Sequence, residues 1–205
     1  MSGRYALFNW PESMAQLPGF PQQMRAHWNL APKSQVLMIY QQQQERHAAL
    51  ALWGFTSAWM TDLSRAVAHA RAETVHTQPM FKKAWRSQRC LLPANGFFEW
   101  RGQHRKQPFW LSAAEPILYF AAIWDVFSVP GRDYYSVAML TQQASNLRRP
   151  VLLSEEQQLV WLNPDSSDAE LLDVLAGTQT QLHERRVSTL INDPLVDGPH
   201  CLSIG

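Results

Sequence analysis

Charged residues and cysteines are scarce in this sequence, and no apolar run is long enough to cross a bilayer. Charged residues make up 17% of the 205 positions and hydrophobic residues 46%, which excludes a disordered, collagen-like or coiled-coil chain. Cys90 and Cys201 cannot build a disulfide framework or a four-ligand zinc site, so we expect buried, reduced thiols. The net charge of +1 supplies no overall basic field, and any contact with nucleic acid must therefore come from a local basic groove.

Motifs for several common kinds of catalysis are absent as well. The sequence contains no glycine-rich phosphate loop, no paired metal ligands and no GxSxG elbow, and its seven histidines show no ligand spacing. We therefore expect neither a metal nor a cofactor. The first residues show no charged segment followed by an apolar one, so we expect a cytoplasmic protein without a membrane partner.

Short apolar runs dominate what is present, and they predict strands. The runs Val36–Tyr40 and Ala48–Phe55 flank the polar stretch Gln41–Gln44, a pattern typical of a hairpin with a solvated loop. Similar runs, separated by Gly, Pro and charged turns, lie at 89–93, 97–100, 108–111, 117–124 and 134–140. Since neither a repeat nor a linker is visible, the pattern predicts one α+β, strand-rich domain over residues 1–205 with a closed or barrel-like sheet.

Helical signals are fewer. Short helices are predicted near Pro11–Leu17 and Met80–Arg86. Ser154 and Ser167 each precede acidic residues and an apolar run, which is the signature of a capped helix N-terminus.

The start of the chain offers a nucleophile. Met1 is removed when the second residue is small, so the mature chain is expected to begin at Ser2. Its α-amine would have a pKa of about 7.7–8.0 and could condense with an aldehyde to form an imine. Gly3 allows close backbone approach, and Arg4 could hold an anion. The alternative, an ordinary mobile terminus, is the better interpretation of this segment taken alone.

Glu99 is the second candidate for chemistry. In an alternating strand, Glu99 shares one face with Phe97 and Arg101. Burial among aromatic rings would raise the pKa of its carboxyl and suit a general acid or base. The alternative is a carboxylate paired with an arginine such as Arg71 or Arg101, and the local sequence favours neither interpretation.

Basic and aromatic residues suggest a surface for single-stranded nucleic acid. Arg148 and Arg149, just before Pro150, could clamp phosphates or could form a solvated turn. Core packing is the better prediction for each aromatic or methionine side chain taken alone, although these residues could stack on bases: Trp28, Trp53, Trp59 and Met60.

Together these stretches resemble the SOS-response-associated peptidase (SRAP) family over nearly the whole chain. The motifs occur in order and at family-like spacing: Met1-Ser-Gly-Arg4, Trp28-Asn-Leu-Ala-Pro32, Trp53-Gly-Phe55, Ala70-Arg-Ala-Glu-Thr74, Met80-Phe81 with Trp85, Arg89-Cys-Leu-Leu-Pro-Ala-Asn-Gly-Phe-Phe-Glu-Trp100, Gln107-Pro-Phe109, Ala121-Ala-Ile-Trp124, Thr141, Arg148-Arg-Pro150 and Val187-Ser188. The resemblance implies a pseudo-symmetric, bifurcated β-barrel with flanking helices.

The resemblance also implies a function in the DNA-damage (SOS) response. Family members sense abasic sites in single-stranded DNA, and we expect single-stranded or junction DNA as the partner of a monomer that joins the nucleoid after damage. In the family, an N-terminal Cys joins its amine and thiol to the open-chain aldehyde as a thiazolidine. An Asn steadies the terminus, a Glu transfers a proton and a His assists ring opening and reversal.

Several positions of this sequence match the family's site. Glu99 stands at the position of the family glutamate. Positions that match the DNA groove are Asn29, Arg71, Thr141 and Arg148, together with Trp59, which matches one of two wedge tryptophans, and Met60, which replaces the second.

Three positions depart from the family pattern, and we interpret them as natural divergence. Ser2 replaces the nucleophilic Cys, His69 replaces the Asn, and Asn146, followed by Leu147, replaces the catalytic His. Ser2 keeps the amine and loses the thiol, so a durable crosslink is not expected.

Three hypotheses follow. The first is a protein that recognises abasic sites and performs transient imine or lyase chemistry through the Ser2 amine, with Glu99 or His69 moving the proton. The second is a binding module that has lost the chemistry. The third is a hydrolase or peptidase that uses Ser2 as an N-terminal nucleophile.

Overall fold

The computed structural model describes residues 3–60, 62–102, 106–177 and 180–205, and most regular structure in these ranges is strand. The strands in them are β1 (Arg4–Leu7), β2 (His27–Leu30), β3 (Gln35–Gln42), β4 (Glu45–Trp53), β5 (His69–Arg71), β6 (Arg89–Ala94), β7 (Gly96–Arg101), β8 (Gln107–Ser112), β9 (Leu118–Val129), β10 (Arg132–Ala144), β11 (Leu147–Pro150) and β12 (His183–Arg186). The α-helices in them are α1 (Glu12–Ala15), α2 (Lys82–Ser87), α3 (Glu155–Leu162) and α4 (Asp168–Ala176), and 3₁₀ turns lie at Leu63–Arg65, Thr189–Asn192 and Pro199–Leu202. Every apolar run that predicts a strand falls on one of these strands.

Five strands close into a barrel. The strands β10, β4, β3, β6 and β9 pair in that order, and β9 pairs in turn with β10. All of these pairings are antiparallel except that of β4 with β10, which is parallel. Outside the ring, β5 and β11 also pair with β10. The predicted strand-rich α+β fold with a closed sheet is therefore confirmed.

The hairpin predicted around Gln41–Gln44 is formed by β3 and β4. Gln42 faces Glu45 in the register, so the turn consists of Gln43 and Gln44, whose φ angles are 49° and 68°. Two successive left-handed residues are typical of a type I′ turn, whose twist matches that of the two strands. The solvated loop is therefore shorter than predicted, because backbone pairing continues through Gln42.

A second sheet of five strands, in the order β12-β8-β7-β1-β2, is joined to the barrel where β6 passes into β7. Asn95 lies at this crossing. Its side-chain oxygen accepts hydrogen bonds from the backbone N–H groups of Phe8 (2.8 Å) and Asn9 (3.0 Å). Its amide nitrogen donates to the carbonyls of Asn9 (3.0 Å) and Pro116 (2.9 Å). This one amide fixes the path of the chain between the two sheets.

The main hydrophobic core connects the two sheets. The ring of Tyr5 on β1 packs edge-on against Trp53 of β4, at 5.2 Å between centroids, and against Phe120 of β9, at 5.6 Å. Phe97 of β7 packs against the same Phe120 ring at 5.9 Å. These contacts bring β1 and β7 of the second sheet against the barrel, which positions the start of the chain.

Strand β7 has the predicted alternation of faces. Phe97 joins the main core, whereas Phe98 belongs to a smaller cluster against which Trp100 packs. The smaller cluster also contains Cys201, and Cys90 lies in the main core. Both thiols are buried and not disulfide-bonded, as predicted.

Both predicted helix caps are present as capping boxes. The Ser154 hydroxyl accepts from the Gln157 N–H while the Gln157 side chain accepts from the Ser154 N–H, which begins α3. Ser167 and Glu170 make the same reciprocal pair at the start of α4. These contacts satisfy backbone donors that have no partner inside the helix.

A buried arginine joins the ends of two helices. Arg89 is 5% exposed, and its guanidinium donates to the carbonyls of Trp161 (2.7 Å), Trp85 (2.5 Å), Arg86 (2.7 Å) and Asn163 (2.6 Å). These carbonyls lie at the C-terminal ends of α3 and α2, where carbonyls lack intrahelical partners and a cation is favoured.

We expect Arg89→Met to lower the free energy of unfolding by about 3 kcal/mol, because it leaves several buried carbonyls without donors. Urea denaturation at pH 7 measures this change. The control is Arg132→Met, which removes an exposed arginine that lies over Tyr134 and should change the value by less than about 0.5 kcal/mol. Equal losses in the two variants would contradict the assigned role of Arg89.

Candidate functional site

The first described residue, Gly3, and the candidate catalytic residue Glu99 lie at the same end of neighbouring strands. Arg4 pairs with Phe98 in the antiparallel register of β1 and β7, so Gly3 precedes this pair on one strand and Glu99 follows it on the other. Among the described residues, a Cβ built on Gly3 would meet no atom within 4 Å, so open space adjoins this end of the sheet. Ser2, the predicted nucleophile, lies outside the described residues.

The carboxylate of Glu99 is buried between two arginines, with 3% of its side chain exposed. Its Oε1 accepts from Arg101 Nε at 2.6 Å and from Arg149 Nη2 at 3.3 Å, and its Oε2 accepts from Arg149 Nε at 2.7 Å. Burial acts to raise the pKa of Glu99, but the hydrogen bonds from Arg149 and Arg101 outweigh it and hold the pKa below its usual value. The carboxyl is therefore ionised at neutral pH.

This geometry decides between the two interpretations of Glu99. Pairing with an arginine is confirmed for Arg101, and the alternative of a raised pKa is wrong because two guanidinium groups compensate for the desolvation. The second partner is Arg149 rather than Arg71.

The ion pairs continue beyond Glu99. Arg101 binds Glu184 of β12 in a bidentate manner, with Nη1–Oε1 at 2.9 Å and Nη2–Oε2 at 2.6 Å. The Arg101 guanidinium also lies 4.7 Å from the centroid of the Phe109 ring. Positive and negative charges therefore alternate from Arg149 through Glu99 and Arg101 to Glu184.

A second group of predicted residues meets where β5, β10 and β11 pair. Arg148 Nε donates to Thr141 Oγ1 at 3.2 Å, and its Nη2 donates to the Thr141 carbonyl and to Glu73 Oε2, the latter at 2.7 Å. Thr141 is buried and pairs in register with Arg71, which is exposed. In the described part of the chain, no carboxylate lies within ion-pair distance of Arg71.

Strand β11 links these two groups. Because successive residues of a strand point to opposite faces, the adjacent arginines Arg148 and Arg149 reach different partners. Arg149 crosses to Glu99 on the second sheet, and Arg148 returns to Thr141 and Glu73.

His69 and Asn146, two of the positions that depart from the family pattern, lie in surroundings that differ from each other. His69 begins β5, and its ring is edge-on to the indole of Trp53, with 5.5 Å between centroids. Asn146 is exposed in the turn between β10 and β11, beside Ser145, whose φ is 53°. The catalytic roles of His69 and Asn146 stay predictions.

Arg4 and Asn29 form a group directed toward the C-terminal segment. Arg4 Nη1 donates to Asn29 Oδ1 at 2.8 Å and to the Ile191 carbonyl at 2.9 Å. The Asn29 side chain is 5% exposed and donates to the carbonyls of Asp193 (2.9 Å) and Val196 (2.7 Å). These bonds attach β1 and β2 to that segment, so the two side chains have structural partners where we predicted DNA contacts.

Of the predicted stacking residues, Trp59 is the most exposed. Its side chain is 68% exposed, whereas Met60 is 7% exposed and Trp53 is fully buried. Trp28 is stacked on Phe8, with 5.6 Å between centroids. Trp59 and Met60 line a cleft of about 320 Å³ together with Asp62, Arg65 and Met80.

A buried aspartate fixes the segment that carries Trp59. Asp125 of β9 is 2% exposed, and its Oδ2 accepts from Ser57 Oγ at 3.2 Å and from the Ala58 N–H at 3.4 Å. Its Oδ1 accepts from Lys83 Nζ of α2 at 3.1 Å. The segment is thereby tied to both the barrel and α2.

Within the described ranges, no group of three or more His, Cys, Asp or Glu side chains is arranged to hold a metal ion. No helix there combines the length and apolar character that a membrane crossing requires.

Sequence reasoning missed three acidic residues of the site: Glu73, Glu184 and Asp125. Glu73 lies within the family motif Ala70-Arg-Ala-Glu-Thr74, and this motif is the one sequence signal that could have identified it as a site residue. Glu184 and Asp125 lie outside every motif and strand run identified in the sequence, and their partners Arg101 and Lys83 are 83 and 42 positions away along the chain.

We expect Glu99→Gln to lower the free energy of unfolding at pH 7 by about 2 kcal/mol, because Arg101 and Arg149 lose their carboxylate partner. The folded-state pKa of Glu99 lies below the unfolded value of about 4.3, so this stabilisation is complete above that pH and is lost as the pH falls through the folded pKa. Urea denaturation from about pH 7 to pH 3 should therefore show a shrinking difference between wild type and variant.

Glu45→Gln, in the exposed β3–β4 turn region, is the matched control and should track the wild type throughout. A difference for Glu99→Gln that stays constant down to the lowest pH would contradict the lowered pKa.

The comparisons with known proteins agree with this architecture. The chain matches the family model described as SOS response associated peptidase (SRAP) over residues 1–194. The abasic site processing protein YoqW of Bacillus subtilis is 27% identical over 221 residues, which cover 98% of this chain and 99% of the relative. The abasic site processing protein YedK of Escherichia coli is 30% identical over 159 residues, which cover 73% of this chain and 70% of the relative.

A crystal structure of a Bacteroides thetaiotaomicron protein has the same fold. Its TM-score is 0.85 at 20% sequence identity, with 98% of this chain and 99% of that chain covered. The family model matches nearly the whole sequence, and this chain therefore belongs to the SRAP family.

Proposed function

We propose that this protein recognises abasic sites in single-stranded DNA during the DNA-damage response and acts on them through the α-amine of Ser2, after removal of Met1. The observation that carries the proposal is the position of Gly3, the residue that directly follows Ser2 in the sequence: Gly3 adjoins open space at the end of β1 beside Glu99. Membership of the SRAP family, and the names of YoqW and YedK as abasic site processing proteins, support the substrate class.

The proposed reaction is that of the Ser2 α-amine with an aldehyde, without the thiol that an N-terminal Cys would supply. The Ser2 amine attacks C1′ of the open-chain aldehyde, and loss of water gives an imine. Ring closure by the serine hydroxyl is less favourable and more readily reversed than closure by a thiol, so the linkage is transient. Loss of a proton from C2′ of the imine expels the 3′ phosphate with the C3′–O bonding electrons, which makes the protein a lyase.

In this proposal Glu99 acts as a carboxylate. Because its pKa lies below the usual value, Glu99 can accept a proton or stabilise a developing cation at neutral pH, but it holds no proton to donate. The arginines that bind it also weaken it as a base, and His69 is the other candidate for moving the proton.

A second candidate function, DNA binding without catalysis, is favoured by the same ion pairs. A carboxylate held by Arg101 and Arg149 is a poor base, whereas Arg71, Arg148 and the exposed Trp59 keep the features of a binding groove. The two candidates share their substrate and differ in whether a covalent species forms.

We expect borohydride to trap one covalent adduct between the protein and an oligonucleotide that contains an abasic site. Intact-protein mass spectrometry, followed by peptide mapping, should locate the adduct on Ser2, because reduction converts the imine to a stable secondary amine. The same protein with an uncleaved tag before Ser2 should form no adduct, since its α-amine lies elsewhere.

The outcomes separate the candidates. Trapping that persists in the tagged protein contradicts the Ser2 mechanism, since the imine would then form on another amine, which peptide mapping would identify. Binding without any trapped species favours the binding module, and absence of binding contradicts both candidates.

For binding itself, we expect Trp59→Ala to weaken affinity for single-stranded DNA by about tenfold, because one stacked base loses its aromatic partner. Arg71→Ala should reduce the salt dependence of the binding constant by about 0.7 in the logarithmic slope, which corresponds to one phosphate contact. Fluorescence anisotropy at several salt concentrations measures both. Arg132→Ala is the control, and an equal change in that variant would contradict the groove assignment.

A further inference from the structure

The arginines of the two ion-pair groups around Glu99 and Arg148 are nearly neutralised by the protein's own carboxylates. Three carboxylates face four arginines in the two linked groups; the carboxylates are Glu73, Glu99 and Glu184, and the arginines are Arg71, Arg101, Arg148 and Arg149. A DNA strand that enters the groove must therefore compete with anions that are already bound.

Glu73 and Glu99 differ in how easily they can be displaced. Glu99 is 3% exposed on a central strand and is held by two arginines. Glu73 lies in the turn after β5, its side chain is 47% exposed, and its only arginine partner among the described residues is Arg148. A polyanion could replace Glu73 without disturbing a strand.

The contacts of Glu73 are those that suit a phosphate oxygen. Its Oε2 accepts from Arg148 Nη2 at 2.7 Å, and its Oε1 accepts from the backbone N–H of Gln143 at 3.1 Å. Guanidinium and backbone N–H groups are the usual donors to the phosphates of nucleic acids. Two such donors converge here on one partly exposed anion.

Arg148 does not depend on Glu73 for its position. Its Nε binds the Thr141 hydroxyl, and its Nη2 also binds the Thr141 carbonyl. Thr141 is buried, so these two bonds hold the guanidinium in place when the carboxylate moves away.

We propose that the Glu73 carboxylate occupies a phosphodiester subsite made by the Arg148 guanidinium and the Gln143 N–H, and that single-stranded DNA binds there by displacing it. The inference rests on the proposed function and adds a built-in competitor that lowers affinity for DNA. Burial acts to raise the pKa of Glu73, but hydrogen bonds from Arg148 and from the backbone N–H groups of Glu73 and Gln143 outweigh it. The resulting pKa lies below the usual value, so the competitor is charged at neutral pH.

The test is a double-mutant cycle with Glu73→Gln and Arg148→Gln, using binding of an undamaged single-stranded oligonucleotide. Glu73→Gln keeps the shape of the side chain and removes its charge. We expect it to tighten binding by about threefold to fivefold at low salt, as suits the loss of one partly exposed ion pair. The logarithmic salt slope should steepen by up to about 0.7, because Arg148 then releases a counterion of its own. In the Arg148→Gln background the same change should have no such effect.

The remaining outcomes are decisive. Unchanged or weaker binding by Glu73→Gln overturns the inference, since Glu73 would then only orient Arg148, while the proposed function stands if the wild type binds. Equal tightening in both backgrounds, or in the control Glu45→Gln, also overturns it, because the effect would be one of general charge. If no variant binds, Glu73→Gln included, the proposed function fails as well. Equal melting temperatures verify that the variants are folded.

Discussion

The buried carboxylate of Glu99 and its two arginines hold together the part of the molecule on which the site depends. Glu99 belongs to the second sheet and Arg149 to β11, which pairs with the barrel strand β10. An ionised carboxylate that is 3% exposed is tolerated only when donors replace the water it has lost. The orientation of β11 is therefore tied to β7, and with it the position of the adjacent Arg148.

This constraint also shapes the electrostatics of the groove. Arg101, Arg148 and Arg149 are each paired with a carboxylate, so this part of the surface presents little uncompensated positive charge. That balance agrees with a net charge of +1 and with weak attraction to nucleic acid in general. In the proposed function, selectivity comes from the exposed ring of Trp59 and from the chemistry of the Ser2 amine.

The departures from the family pattern at Ser2, His69 and Asn146 bear on which reactive groups and charges the site retains. Replacement of the thiol removes the group that would make the linkage durable, and the arginine pairs keep Glu99 ionised. Arg71, Arg148 and Trp59, which the resemblance matches to the family's DNA groove, are retained. In the proposed function, the protein therefore retains recognition of DNA and loses the stable covalent crosslink. Its reaction is limited to reversible imine formation and to elimination.

By itself, the sequence determined the features that neighbouring residues encode. The strand runs, the hairpin of β3 and β4, the alternation along β7 and the two capping boxes follow from local periodicity and local hydrogen bonding. The family motifs added the bifurcated barrel and the prediction that Glu99 is a site residue. For these features the interacting groups lie within a few positions of each other or belong to a known pattern.

Only the tertiary structure decided which charges meet. Arg149 lies 50 positions from Glu99, and Arg148 lies 75 positions from Glu73, so neither pair leaves a local signal. Both pairs depend on the register of β11 against β10 and on the packing of the second sheet beside the barrel. The direction of the Glu99 pKa shift depends partly on the same contacts. Desolvation alone would raise the pKa, and hydrogen bonds from the distant Arg149 and from Arg101, two positions along the same strand, lower it.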